Sequence, residues 1–126
     1  MFTATSRIAA LLIAVLVPLG ASAQTLLQSP LASADGIEVV LSHVVLEPDQ
    51  ALPAHWHPGE EFAYIIEGSV TLQQEGKAPL LMKARSAAKI ALRQVHSAQA
   101  GDSGATLVVF RVHESGQPER VLVEEP

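Results

Sequence analysis

Between Ile37 and Gly116 the chain alternates short runs rich in β-branched and apolar residues with turn-forming clusters: Glu47-Pro48-Asp49, Pro58-Gly59, Glu67-Gly68, Glu75-Gly76, Gly101-Asp102 and Glu114-Ser115-Gly116. Breakers at such short intervals stop a helix before it reaches the length at which helices become stable in water. What remains is a succession of strands, expected over Ile37–Leu46, Leu52–His57, Glu61–Ile66, Ser69–Gln74, Leu80–Met82, Ala87–Leu92, Val95–Gln99 and Thr106–Val112. Many short strands with this spacing predict an all-β sandwich or barrel. Only the Ala-rich stretch Leu81–Leu92 invites a helical reading, and it is read here as strand and turn.

A chain of 126 residues without an internal repeat points to one domain. Its opening is a separate matter. Arg7 precedes an apolar run, Ile8–Leu19, which is followed by the small residues Ala21-Ser22-Ala23. That is the pattern of a secretory signal peptide, residues 1–23, with cleavage expected after Ala23. The run is broken by Pro18 and Gly20 and falls short of the ~20 apolar residues that a spanning helix needs. It carries no cysteine for lipidation and no Arg-Arg pair, so the general secretory route is expected, with a periplasmic or secreted product. Residues 24–35 read as an N-terminal arm or edge segment, and 36–126 as the barrel domain.

Loss of Arg7 with the leader takes the net charge from −5 to −6, and a mildly acidic chain has no electrostatic footprint for nucleic acid. No basic amphipathic helix is present to hold the mature form on a membrane. The absence of cysteine excludes disulfides, thiolate nucleophiles and zinc-thiolate sites. Any metal must be held by nitrogen and oxygen.

The stretch His55-Trp-His57-Pro-Gly-Glu-Glu61 offers such donors. Side chains alternate across a strand, so His55 and His57 share a face and Trp56 points to the other. Pro58-Gly59 then turns the chain, and the next strand is expected to run back alongside the first. In that strand alternation groups Glu61 with Ala63 and Ile65, and Glu60 with Phe62, Tyr64 and Ile66. One glutamate serves the site and the other does not. His96 is the best third imidazole, distant in sequence but within reach of a barrel. Such N and O donors suit iron, manganese, nickel, copper or zinc, with coordination positions left open for chemistry. An exposed polar hairpin is the competing reading of the same residues.

The sequence resembles small single-domain bacterial cupins. Their first motif, Gly, five residues, His-any-His, three or four residues, Glu, six residues, Gly, is matched by His55, His57, Glu61 and Gly68, with Asp49 in place of the leading glycine. Of the second motif, Gly, five residues, Pro-any-Gly, two residues, His, three residues, Asn, only His96 is present. Arg85, Ala91, Arg93 and Ala100 occupy the other places. Because glycine there supplies a turn geometry that is costly for other residues, the turns before His96 are expected to differ from the usual ones.

The resemblance covers about 36–118 and implies a jelly-roll β-barrel with His55, His57, Glu61 and His96 as ligands of a divalent transition metal inside it. It also implies a homodimer, here expected to use Gln24–Asp35. Two functions follow. In the first, an exported metalloenzyme binds or transforms an oxygen-bearing small molecule by dioxygenase-, isomerase- or decarboxylase-like chemistry, with Glu61 as catalytic base. In the second, the barrel is a non-catalytic small-molecule binder or sensor with a structural metal. His43 and His113 are expected to be structural or exposed, and Arg85 and Arg93 to be exposed turn residues.

Overall fold

The computed structural model describes residues 21–124, so the expected signal sequence lies almost wholly outside them, and the expected cleavage point falls two residues into the first strand. The strands are β1 (Ser22–Pro30), β2 (Ile37–Leu46), β3 (Ala51–Trp56), β4 (Gly59–Gln74), β5 (Leu80–Lys83), β6 (Ala87–Ile90), β7 (His96–Glu114) and β8 (Val121–Leu122). No helix occurs among the described residues. The architecture is the expected all-β jelly-roll barrel.

Two long strands build the barrel. The first half of β4 and the second half of β7 pair from Gly59↔His113 to Gly68↔Ala105, flanked by β6 and by β2 with the edge strand β1. Their other halves pair from Val70↔Ala100 to Gln74↔His96, flanked by β5 and by β3 with β8. The register breaks at Ile65/Glu67 and Gly68/Val70, where both strands bend and pass from one sheet to the other.

Glycine allows that corner. Gly68 and Gly104 both have φ of 74°, and a Cβ on Gly68 would lie 2.0 Å from the Gly104 carbonyl oxygen. The sequence reading split β4 at Glu67-Gly68 and β7 at Gly101-Asp102, because a glycine corner inside a strand reads like a turn between two strands. A second difference lies at Pro58-Gly59. β3 pairs with β7 and β8, not β4, so this turn sends the chain across the barrel instead of closing a hairpin.

Alternation sorts the side chains. Val44, Leu46, Ile65, Val70, Leu72, Met82, Ile90, Leu107 and Val109 fill the interior. Phe62, Tyr64, Ile66 and Phe110 lie exposed on the outer face. Asp49, Arg85 and Arg93, at the three motif places where glycine is replaced, have φ of 59°, 72° and 58°. The turns before His96 thus keep the left-handed geometry, contrary to the expectation that the loss of glycine alters them, and the arginines carry the strain.

Candidate metal centre

His55 ends β3 beside Trp56, His57 follows it, and His96 opens β7 directly opposite His55 in the ladder. Long strand pairing thereby closes the sequence gap to the third histidine. The ligand atoms of His55, His57 and His96 all lie within 4.8 Å of one another, and the three residues are buried.

Each ring is oriented by the backbone. Nδ1 of His55 donates to the Pro53 carbonyl at 2.7 Å, Nδ1 of His57 to that of Glu119 at 2.5 Å, and Nδ1 of His96 to that of Gln94 at 2.9 Å. A carbonyl only accepts, so each Nδ1 carries a proton and Nε2 is the atom left to serve as ligand. This is the support that metal-bound imidazoles use. Burial, with smaller effects from the neighbouring His96 and His57, lowers the pKa of His55 to about 4. Burial likewise lowers that of His96. Both are neutral at pH 7, the state a ligand requires.

Glu61 is buried on the inward face of β4 with Ala63 and Ile65, while Glu60 points outward to Lys89 at 2.5 Å. Glu61 is not one of the three mutually close donors. Its Oε2 lies 2.8 Å from Nε2 of His57 and accepts a hydrogen bond from Nε of Arg111 at 2.7 Å. Burial opposes ionisation of Glu61, but the contact with His57 and the charge of Arg111 outweigh it and bring its pKa to about 2. Nε2 of His57 has no properly directed hydrogen bond. It nevertheless lies 2.8 Å from the carboxylate, close enough for both atoms to turn to one cation. Three buried imidazoles, an orphaned nitrogen and an adjacent carboxylate fit a divalent metal with nitrogen and oxygen ligands.

Sequence reasoning missed Arg111, Glu119 and Arg120. Arg111 had a signal, since it follows Leu107 and Val109 at the inward positions of β7, where a charge needs a partner. Glu119 acts through its carbonyl and through a contact of its carboxylate with Nη1 of Arg111 at 3.6 Å, and neither leaves a pattern. His113 is buried with Nε2 3.0 Å from Glu38, outside the three-histidine set. Arg93 lies over the Trp56 ring at 5.7 Å.

A small antiparallel barrel with three inward imidazoles on neighbouring strands defines a class of metal-binding β-barrel. The chain belongs to the cupin family, whose cupin domain matches residues 42–112. Its fold is similar to that of a cupin-like protein of Thermotoga maritima, with TM-score 0.65 and 18% identity over 83% of this chain and 77% of that one. It is similar too to an uncharacterised double-stranded β-helix protein of Klebsiella pneumoniae, with TM-score 0.63 and 22% identity over 86% and 88%. The DMSP lyase DddQ of Ruegeria pomeroyi matches with TM-score 0.62 and 20% identity over 68% of this chain, which spans 43% of that enzyme. No curated protein matches the chain.

Proposed function

We propose that this cupin is an exported metalloprotein in which His55, His57, His96 and Glu61 hold a divalent transition metal that binds and transforms an oxygen-bearing small molecule. The observation that carries this reading is the common support of the three rings, each with Nδ1 tied to a backbone carbonyl so that Nε2 is the atom left to serve as ligand. A bound divalent ion supplies Lewis-acid polarisation or dioxygen activation. The chain's own part is to orient its ligands, keep Glu61 anionic through Arg111, and surround the site with apolar walls that limit water. Held by Arg111, Glu61 is a weak base, so proton transfer through it requires that this pairing loosen.

The shared fold with a DMSP lyase supports action on a small molecule without choosing a reaction. A homodimer through Gln24–Asp35 belongs to the same proposal, supported by Leu26 and Leu27, 52% and 51% exposed on β1. The test is elemental analysis of the full chain recovered from a bacterial periplasm, with N-terminal sequencing. One metal ion per chain, its loss in His96→Ala, and a mature terminus at Gln24 are expected. A wild-type protein that takes up no zinc, manganese, iron, nickel or copper on reconstitution overturns the metal reading. No turnover or oxygen uptake by the loaded protein across phenolic, keto-acid and sugar panels overturns the catalytic part.

A further inference from the structure

The barrel interior holds a cavity of about 90 Å³ that reaches His55, His96 and Glu61 and is otherwise walled by apolar side chains such as Ile65, Met82 and Val109. Two further charged residues line it, Arg111 and Arg120. On its outer side a cleft of about 580 Å³, reaching His57 and Glu119, shares Leu52, Arg111 and Arg120 with the cavity. The arginines stand where the cleft meets the interior.

The two guanidinium groups differ in what they have left to offer. Arg111 is engaged by Glu61 at 2.7 Å and lies 3.6 Å from Glu119. Arg120 forms no ion pair among the described residues. Apart from the imidazoles, the charged groups lining the cavity are one carboxylate and two guanidinium groups, a surplus of one positive charge before any metal binds. A guanidinium fork at the mouth of an apolar cavity recognises a planar anion by two parallel hydrogen bonds. The cavity is small. At ~30 Å³ for each water-sized group, it has room for about three, enough for a short aliphatic end with its carboxylate at the mouth. That suits a short carbon chain with one carboxylate better than a phosphorylated skeleton or a sugar.

We propose that Arg120 selects the ligand, binding the carboxylate of a short-chain monocarboxylic acid whose aliphatic end packs into the barrel beside His55 and His96. This deepens the reading of the histidine cluster as the functional site and rests on it. Arg120 comes from the segment whose Glu119 carbonyl orients His57, so one short stretch both supports a ligand ring and reads the incoming molecule.

The test is calorimetric titration of the full mature chain, with and without added zinc, using 2-hydroxybutyrate, butyrate, the neutral 2-hydroxybutyramide and inorganic phosphate as probes. Zinc stoichiometry is measured on the same samples, so the metal reading fails or holds separately from this one. A carboxylate in the set is expected to bind at least tenfold more tightly than the amide and than phosphate. Arg120→Gln is expected to weaken it about ten- to hundredfold, with Arg120→Lys recovering part of the loss and zinc content unchanged. Equal binding of acid and amide, tighter phosphate binding, no binding by either acid, or full affinity in Arg120→Gln overturns the proposal. Circular dichroism of each variant keeps loss of folding apart from loss of recognition.

Discussion

Replacing Arg85 with glycine is expected to stabilise the protein, although it removes a long charged side chain and adds backbone freedom. Arg85 is the third residue of the turn Lys83-Ala84-Arg85-Ser86, closed by the Ser86 amide donating to the Lys83 carbonyl at 3.0 Å. Its φ of 72° is the conformation that this position requires and that a side chain resists. Left-handed backbone costs a non-glycine residue about 1–2 kcal/mol. Glycine loses roughly 0.4–1 kcal/mol more conformational entropy on folding. The Arg85 side chain is exposed and makes no ion pair among the described residues, so the balance favours Arg85→Gly by about 0.5–1 kcal/mol, a few degrees in Tm. Arg93→Gly is expected to change stability little. It relieves the same strain at φ 58° but removes the stacking on Trp56, worth about 0.5–1 kcal/mol. Arg85→Ala, which removes the side chain without freeing the backbone, separates the two contributions. Urea denaturation of the three variants at pH 7.5 gives the values. If Arg85→Gly is neutral or destabilising, or if Arg85→Ala stabilises equally, the strain argument is refuted.

Arg111→Met leaves the Glu61 carboxylate buried without its cation and is expected to destabilise by about 3–5 kcal/mol, with Glu61→Gln in the same chain recovering more than 1 kcal/mol in a double-mutant cycle. A single-variant loss under about 1 kcal/mol would mean that the pair is not buried as described. Metal-free protein is expected to lose stability as pH falls from 6.5 toward 4, because the unfolded chain protonates His55 while the folded one, with its pKa near 4, does not; Glu61 extends the loss from 4.5 toward 2. For His55 alone this amounts to ~3 kcal/mol, and a His55→Asn variant that keeps the whole wild-type pH slope would contradict it. Chelation of the loaded protein is expected to lower its unfolding free energy by about 2.7 kcal/mol when compared with metal at a hundredfold its dissociation constant, read by denaturation with and without chelator.

The barrel was legible in the sequence because period-two alternation and turn residues act locally. Glu61, Ala63 and Ile65 face inward and Phe62, Tyr64 and Ile66 outward, as the parity of that segment requires. What alternation does not convey is which strands pair. Pro58-Gly59 looks the same whether it closes a hairpin or crosses between sheets, and only the long-range pairing of β3 with β7 distinguishes the two. Glycine 68 and Gly104 are ambiguous for a related reason: a residue free to adopt positive φ suits a bend within a strand as well as a turn between strands.

The site divides along the same line. Its nitrogen donors could be found because histidine spacing and parity act through side-chain identity. Their orientation is set by the carbonyls of Pro53, Gln94 and Glu119, groups that every residue possesses, so no residue type at those positions announces the role. Pro53 and Gln94 each lie two residues before the histidine they support, Pro53 within β3 and Gln94 in the turn closed on the Ala91 carbonyl just before β7. Glu119 is 62 residues from His57, and its carbonyl reaches the ring only because β8 adds to β3 at His55↔Leu122 and Trp56↔Val121. The stretch after β7 thus does for His57 what local backbone does for the other two rings. The same pairing fixes the chain beside Arg120, at the opening between cleft and interior, so the support of the His57 ring and the charge at the opening depend on a single two-residue strand.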